Sequence, residues 1–351
     1  MPRALKLGYN TGYWAGGPPP GAADAIAEAE RLGFDSIWTA EAYGSDGLTP
    51  LAWWGAATQR IKLGTAIMQM SARQPAAAAM AAMTLDHLSG GRFILGLGVS
   101  GPQVVEGWYG MPFAKPLART REYVAILRDI WAREGPVTAA GPHYPLPLRG
   151  GTGLGKPLKA SIHPLREEIP IYLGAEGPKN IALCAEICDG WLAMLFSPAV
   201  YDELYRPALE EGFARRKPGA GPPTSVEEFE VCATVPLIVA DDVEAAADML
   251  RPFYALYFGG MGAKGANFHA NVPIRMGYER EVAEIQELYL GGKKDEAGAR
   301  VPRALIEALS LMGPREKIRD DLAKWRESAV TTLLVSGDPA TLRAAAELVL
   351  G

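Results

Sequence analysis

The feature that most constrains this chain is a short apolar run that opens into a loop of small and polar residues. Gly90 and Gly91 form a turn before the run at 93–98, and residues 99–103 follow it. An apolar run without alternation is typical of a strand buried on both faces of a parallel sheet. Gly96 and Gly98 add no packing side chain, so they indicate close approach of another backbone or of a flat ligand. In an α/β barrel, chemistry is carried where such strands end.

Strand patterns followed by helix patterns recur along the chain at intervals of about 30 residues, which predicts a parallel sheet. The predicted strands lie at residues 6–10, 35–38, 61–68, 93–98, 169–173, 190–195, 231–239 and 332–335. The predicted helices lie at 22–32, 48–58, 75–88, 117–133, 178–187, 198–216, 243–257, 279–290, 303–311 and 340–350. Eight strand–helix units favour a (β/α)8 TIM barrel. A doubly wound open sheet is the alternative, but no early G-x-G-x-x-G turn opens a helix.

Two long segments interrupt this rhythm, at about 135–168 and 258–311. The first is rich in proline, glycine and histidine, and the second is irregular over 259–275. Long loops inside a compact domain are usually functional. Residues 218–223 have the composition of a Pro/Gly linker. We therefore predict one barrel domain over residues 1–351 that carries two large insertions.

Composition argues against several classes of protein. A net charge of −5 is unlike the basic surface of a nucleic-acid binder. Apolar runs stay shorter than the ~18 residues of a membrane helix, and the N-terminal residues contain no signal-peptide core. Cys184, Cys188 and Cys232 form no CxxC pair, so we expect small buried thiols. We expect a reduced, cytoplasmic protein that binds neither nucleic acid nor a membrane.

The turn after the predicted strand at 169–173 has the composition of an anion site. Pro178 suits the first helical position, where its missing N–H would be unpaired in any case. Gly177 leaves the first-turn amides accessible, the helix dipole favours an anion, and Lys179 adds a positive charge. An ordinary turn with a proline start explains the same residues, so both interpretations stay open. The candidate phosphate-binding residues are Gly174, Ala175, Glu176, Gly177, Pro178, Lys179 and Asn180.

Few side chains in this sequence are placed for acid–base or metal chemistry. Glu41 and Glu176 follow predicted strands, and either can transfer protons from a buried position, although a capping or salt-bridged carboxylate is the simpler interpretation. The histidines show no metal-binding spacing, so we predict no metal site. They are His87, His143, His163 and His269. Because so few side chains are placed for acid–base or metal chemistry, we expect an organic cofactor to supply it, in the form of a flat, phosphorylated ligand.

Aromatic side chains gather near the ends of predicted strands. Three of them are assigned to the core: Trp38, Trp53 and Trp54. Four others are candidates to line an apolar substrate pocket: Trp14, Tyr43, Trp108 and Tyr109.

Several motifs together resemble the luciferase-like monooxygenase superfamily, and within it the branch of oxidoreductases that use the deazaflavin coenzyme F420. They are Ala40-Glu-Ala-Tyr-Gly44, Ile61-Lys-Leu-Gly-Thr65, Thr84-Leu-Asp-His-Leu-Ser-Gly-Gly-Arg-Phe93, Leu95-Gly-Leu-Gly98 and Asp189-Gly-Trp191. The likeness runs from the first strand to about residue 198 and resumes weakly at the last strand and helix.

The resemblance implies positions for the cofactor. It implies a cis peptide between Ala66 and Ile67, just after Thr65, that backs the central ring. Ser100 and Gly101 would lie beside the ring or its ribityl chain, and the turn at 174–180 would hold the phosphate. Relatives are commonly homodimers, which implies the same assembly here.

One departure limits what is carried over. The deazaflavin-linked sugar-phosphate and alcohol dehydrogenases have an Asp-His pair after the second strand, where this chain has Glu41 and Ala42. Those substrates are therefore in doubt, and Glu41 either handles protons or holds a ring atom through a bridging partner. The favoured hypothesis is an F420-dependent oxidoreductase that transfers a hydride between the cofactor and a small, largely apolar substrate. The alternatives are an FMN-dependent luciferase-like monooxygenase and a non-catalytic cofactor-binding protein.

Overall fold

The computed structural model describes residues 4–217, 223–262, 265 and 267–351. The predicted linker at 218–223 therefore lies, except for Pro223, outside the described residues. The strands are β1 Lys6–Asn10, β2 Ser36–Thr39, β3 Lys62–Thr65, β4 Met68–Gln69, β5 Phe93–Gly98, β6 Ile171–Gly174, β7 Gly190–Ala193, β8 Glu230–Thr234, β9 Leu237–Val239, β10 Leu311–Gly313 and β11 Thr332–Val335.

Fourteen helices are found in this part of the chain, besides two 3₁₀ turns at Met70–Ala72 and Pro198–Val200 and two π turns at Tyr201–Tyr205 and Leu256–Gly260. The helices are α1 Ala22–Leu32, α2 Thr49–Gly55, α3 Pro75–Ser89, α4 Pro102–Val105, α5 Pro116–Ala132, α6 Pro178–Ile187, α7 Arg206–Arg215, α8 Val243–Ala255, α9 Asn271–Arg275, α10 Glu279–Leu290, α11 Lys294–Ala299, α12 Arg303–Leu309, α13 Arg315–Glu327 and α14 Pro339–Val349.

Eight of the strands close into a parallel barrel. Their order is β3-β2-β1-β11-β8-β7-β6-β5, and pairing between β3 and β5 closes the ring. The short β4 continues beyond β3 and pairs with the end of β5. The predicted (β/α)8 TIM barrel is confirmed.

Two aromatic rings fill the barrel interior because glycines face them. Trp38 and Tyr172 stack with ring centroids 5.8 Å apart. A Cβ on Gly64 would lie 2.3 Å from the Trp38 ring, and a Cβ on Gly190 would lie 2.6 Å from the Tyr172 ring. Bulkier residues at either glycine would therefore displace a ring. This packed layer forms a floor beneath the C-terminal ends of the strands, where barrels place their sites.

The helices follow the apolar patterns of the sequence. In α1 the buried residues recur at spacings of three and four, at Ala22, Ala25, Ile26 and Ala29, so one face of the helix packs inward. The helix ends at Gly33, which adopts the left-handed conformation that glycine reaches without steric penalty.

Three predictions about local structure are wrong. The predicted strand at 231–239 divides at Pro236, which has no N–H for a ladder, and the second half leaves the barrel as β9 to pair in parallel with β10. The helix predicted at 303–311 ends at Leu309, because residues 311–313 form β10. Trp53 is 80% exposed, since it lies on the solvent face of α2 while Leu51 and Trp54 face the core.

The interrupting segments differ from one another. Residues 135–168 contain two isolated bridges, Val137 with Leu158 and Ala139 with Leu146, but no named helix or strand. The segment between β9 and β10 carries helices that share an apolar core of their own, separate from the main core. All three cysteines are buried and free, as predicted. Over the described ranges, no helix has the length and apolar character needed to cross a membrane.

Candidate active site

The connection from β3 to β4 lies directly against β5. Thr65 Oγ1 donates a hydrogen bond to the Gly96 carbonyl at 2.7 Å and accepts one from the Gly96 amide at 2.9 Å. A Cβ on Gly96 would lie 1.7 Å from the Thr65 carbonyl oxygen, and a Cβ on Gly98 would lie 2.6 Å from Ile67 Cγ1. The two glycines thus allow a neighbouring segment of the chain to come close. The sequence indicated either this or the close approach of a flat ligand.

The peptide bond between Ala66 and Ile67 is cis, at the pair that the resemblance implied. Both side chains are half-buried and pack on the interior layer that contains Trp38. Ser100, with a left-handed φ of 57°, and the half-buried Gly101 follow β5 on the same end of the barrel. These residues form a shallow step at the barrel mouth above its packed floor.

Glu41 supports this step from the side. Its carboxylate is buried and accepts hydrogen bonds from the Gln69 amide at 2.8 Å, the Gly47 amide at 3.3 Å, and Arg73 Nη1 at 2.7 and 3.0 Å. Both oxygens are therefore engaged, and the charge is paired. These contacts agree with the interpretation of Glu41 as a salt-bridged carboxylate, which holds the segment that carries the cis peptide. Proton handling by Glu41 stays a prediction.

The turn from β6 into α6 leaves an open helix N-terminus. The Asn180 and Ile181 amides donate to the Gly177 carbonyl, but the Lys179 amide has no partner among the described residues. No atom lies within 4 Å of a Cβ built on Gly177, and Lys179 is exposed. Such a turn can accept an anion without rearrangement of side chains.

Unpaired polar atoms lie next to this turn. Asn180 Oδ1, Ser197 Oγ and Tyr205 Oη are buried and have no hydrogen-bond partner in the part of the chain that the structure describes. Buried polar atoms are normally satisfied, so Asn180 Oδ1 and Ser197 Oγ call for a partner outside the protein. Burial raises the pKa of Tyr205 to about 12, which keeps its hydroxyl protonated as a donor. The backbone of Ser197 lies near enough to Tyr205 Oη to oppose the rise in its pKa, and the hydroxyl can still donate. Ser197 and Tyr205 were missed by sequence reasoning, since they lie in the next β–α unit.

A segment of the second insertion reaches this turn. His269 Nδ1 lies 2.6 Å from Glu176 Oε1, and Arg275 Nη2 donates to the Glu176 carbonyl at 2.6 Å. The buried Asn267 holds the segment in place, since its Nδ2 donates to two carbonyls of the π turn that follows α8 and its Oδ1 accepts from the His269 amide. We call residues 267–275 the strap.

The electrostatics of the strap centre on His269. Burial disfavours the imidazolium, but the Glu176 carboxylate outweighs it, so the pKa of His269 is raised above its usual value. The rings of His269 and Tyr257 are nearly perpendicular, with centroids 5.0 Å apart. Sequence reasoning missed His269 and Arg275, because they lie more than ninety positions from Glu176 in an insertion without a readable pattern.

The aromatic candidates lie around the loops that follow β1, β2 and β5. Tyr109 Oη donates to the Ala42 carbonyl at 3.2 Å, and Trp14 packs on Trp54 at 6.0 Å between ring centroids. Tyr43 and Trp108 are each 66% exposed. The four candidates therefore flank the mouth, two of them held by contacts and two open to solvent.

Tyr13 lies in the loop that follows β1. Its side chain is 51% exposed, yet surrounding protein raises the pKa of its hydroxyl, and the charge of Glu176 on the opposite side of the barrel raises it further. The loop after β1 and the turn after β6 thus face each other across the barrel mouth.

Comparisons with known proteins agree with this architecture. The model of the luciferase-like monooxygenase family matches residues 8–332. A Mycobacterium tuberculosis protein named "putative coenzyme F420-dependent oxidoreductase" is 56% identical over 342 residues, which cover 97% of each chain.

Two solved structures share the fold. The coenzyme F420-dependent tetrahydromethanopterin reductase from Methanopyrus kandleri superposes with a TM-score of 0.78 at 22% identity, covering 100% of this chain and 99% of that one. An F420-dependent secondary alcohol dehydrogenase superposes with a TM-score of 0.74 at 18% identity, covering 99% and 98%. The family match spans nearly the whole barrel, and the chain belongs to the luciferase-like monooxygenase family.

Proposed function

We propose that this protein is an oxidoreductase that uses coenzyme F420 and transfers a hydride between that cofactor and a small, largely apolar organic substrate. One observation carries the choice of cofactor. The relative that is 56% identical, across nearly the full length of both chains, is named for F420. The alternative, an FMN-dependent monooxygenase, has the family description on its side.

The residues at the mouth fit a phosphorylated, hydroxylated ligand. The open turn at Gly177 and the free Lys179 amide suit its phosphate. The unpaired Asn180, Ser197 and Tyr205 side chains suit its phosphate oxygens and hydroxyl groups. The other cofactor candidates in this turn, Gly174, Ala175, Glu176 and Pro178, shape the backbone around that site.

The flat part of the ligand would rest on the step at the mouth. Ala66 and Ile67 back it from β3, and Ser100 and Gly101 border it from β5. Thr65 contributes indirectly, because its side chain is committed to Gly96. When bound, the deazaflavin would itself carry the hydride, which is a two-electron transfer. The chain would orient it, back one face with Ala66 and Ile67, and leave the other, reactive face to the substrate while keeping water away from it.

The aromatic side chains at the mouth support an apolar substrate. Trp14, Tyr43, Trp108 and Tyr109 offer ring surfaces with few polar groups, which is typical of pockets for small organic molecules. Glu41 acts here as a positioning residue, since its carboxylate is saturated by Arg73 and backbone amides.

Cofactor titration tests the proposal. We expect the purified protein to bind F420 tightly, measured by fluorescence, and to bind FMN weakly or not at all. Tight FMN binding without F420 binding would replace the proposal with the flavin-dependent monooxygenase. Bound reduced F420 that no electrophilic substrate oxidises would favour the non-catalytic carrier. Light scattering on the same sample tests the proposed homodimer.

A further inference from the structure

The chain lacks a histidine where the second strand ends, yet it places one at the mouth by another route. Ala42 occupies the position next to Glu41, and Glu41 is saturated. His269 enters from the strap and meets Glu176 on the far side of the barrel. The mouth therefore contains one imidazole–carboxylate pair, although the local sequence after β2 contains none.

The contact defines which nitrogen of His269 is available. A carboxylate only accepts hydrogen bonds, so Nδ1 carries the proton that is donated to Glu176. Nε2 has no hydrogen-bond partner among the residues described, and the side chain is 25% exposed. A histidine whose Nδ1 is held by a carboxylate and whose Nε2 is free has the arrangement of a general acid–base.

We propose that His269 is the proton-transferring residue of this enzyme, positioned by Glu176, and that the substrate is a carbonyl compound. The assignment rests on the proposed function, since it assumes hydride transfer at the barrel mouth.

Reduction of the carbonyl group adds one hydride and one proton to the substrate. With reduced F420 bound, the carbonyl carbon would receive its hydride. A C–H bond of the cofactor breaks as the cofactor is oxidised by two electrons, and the π electrons of the C=O bond move to oxygen. That oxygen takes the proton from His269 Nε2, so an N–H bond breaks as the O–H bond forms. The neutral imidazole regains a proton from water. In the direction of alcohol oxidation, neutral His269 accepts the proton instead.

The groups around His269 favour its charged form. Glu176 carries a negative charge at hydrogen-bond distance, and Tyr257 presents a neutral ring. Arg275 is bound to the Glu176 backbone, and Tyr13 lies within electrostatic reach of the Glu176 carboxylate. The Glu176 carboxylate raises the pKa of His269, so the residue keeps its donatable proton to a higher pH than it would without this partner.

NMR provides a test that needs no substrate, because the chain has only four histidines. In the full-length protein we expect the pKa of His269 to lie above the usual value for a histidine, and Glu176→Gln to lower it. Addition of oxidised F420 should shift the His269 ring signals and leave those of His87 and His163 in place. If F420 binds and the His269 signals stay unmoved, the proposal is overturned while the proposed function stands. If F420 does not bind, the proposed function itself fails.

Kinetics provide a second test, with cyclohex-2-enone and acetone as carbonyl probes for the oxidation of reduced F420. His269→Gln should lower kcat about 100-fold with an F420 Kd within about threefold of wild type. The wild-type kcat should fall as the pH rises through the raised pKa of His269, and the variant should lose that limb. His143→Gln is the matched control, since His143 also faces a carboxylate, Glu122, at 3.9 Å in the other insertion. If His269→Gln keeps the wild-type kcat and pH profile, proton transfer by His269 is refuted. If neither carbonyl probe is reduced, the NMR result decides.

Discussion

On the side of the mouth formed by β2, β3 and β5, the site is built from buried contacts within the barrel, whereas on the side of β6 it is completed by the strap. Thr65, Gly96 and Glu41 are all enclosed and their polar atoms are paired, although the neighbouring Gln69 has an unpaired Oε1. Glu176 and His269 are partly accessible, and unpaired polar atoms lie beside them. On the first side, contacts within the barrel fix the positions of the residues at the mouth. On the second side, an insertion supplies the ionisable side chain His269, and substitutions in that insertion can change the site without disturbing the barrel strands.

On the first side of the mouth, the largest effect is expected from a methyl group added at Gly96, which would disrupt the contact between β5 and the end of β3. Its Cβ would meet the Thr65 carbonyl at 1.7 Å and Leu192 Cδ1 at 2.7 Å. Since the obstacle includes backbone, we expect Gly96→Ala to lose more than about 3 kcal/mol of unfolding free energy, measured by urea denaturation. Gly135→Ala is the control, because its Cβ would meet nothing within 4 Å. Equal stability of the two variants would contradict the close approach of β3 and β5.

Glu41→Gln removes the charge that pairs with Arg73 in a buried position. We expect a loss of about 2 kcal/mol in unfolding free energy, with parallel losses in cofactor affinity and turnover. The control is Glu284→Gln, which breaks an exposed pair with Arg280 and should change stability by less than about 0.5 kcal/mol. A variant with wild-type stability and F420 affinity but low turnover would return Glu41 to a role in proton handling.

Gly177→Asp tests whether the turn on the second side of the mouth binds the phosphate. Its side chain would enter open space, and an acidic group at a helix N-terminus is stabilising, so we expect unchanged or slightly raised stability. Because the new charge would oppose the phosphate, we expect the F420 Kd to rise about tenfold. Gly177→Asn adds similar bulk without charge and should bind nearly as the wild type does. An unchanged Kd in Gly177→Asp would remove the phosphate from this turn.

The smallest expected effect is the pH dependence of stability from His269. Its pKa is raised in the folded state, so its contribution is fully present below the unfolded value of about 6.5 and is lost as the pH rises through the folded value. We therefore expect His269→Gln to flatten this part of the stability curve, measured by thermal unfolding at several pH values. His143→Gln, at a histidine that faces Glu122 in the other insertion, is the matched control. A His269→Gln curve parallel to the wild type would show that the contact with Glu176 contributes no stability.

Much of the barrel could be predicted because its patterns are local. The strand at 93–98 and the helix at 22–32 have the predicted bounds, since each is defined by its own apolar spacing and by a glycine at its end. The division of the strand at 231–239 was missed because its apolar run continues past Pro236. Trp53 was misplaced because composition alone does not say which face of α2 meets the core.

The site was predictable only in part. The cis peptide at Ala66 and Ile67 came from resemblance, since no spacing of residues signals it. The turn at 174–180 could be recognised from its glycines and Pro178 because its features are contiguous. His269 and Ser197 could not be found in this way, because their relation to the turn exists only in the folded barrel.

The parallel pair of β9 and β10 has a consequence for evolution and engineering. These strands bond to each other at the two ends of the segment 240–310, so that segment departs from the barrel and returns to it at one place. This segment also has its own apolar core, so it can be treated as an exchangeable unit, which we call the cassette. The β9–β10 pair, which we call the clip, joins the two ends of the cassette. Exchanging the cassette at this clip would replace His269 and its surroundings in one graft and leave the eight barrel strands intact.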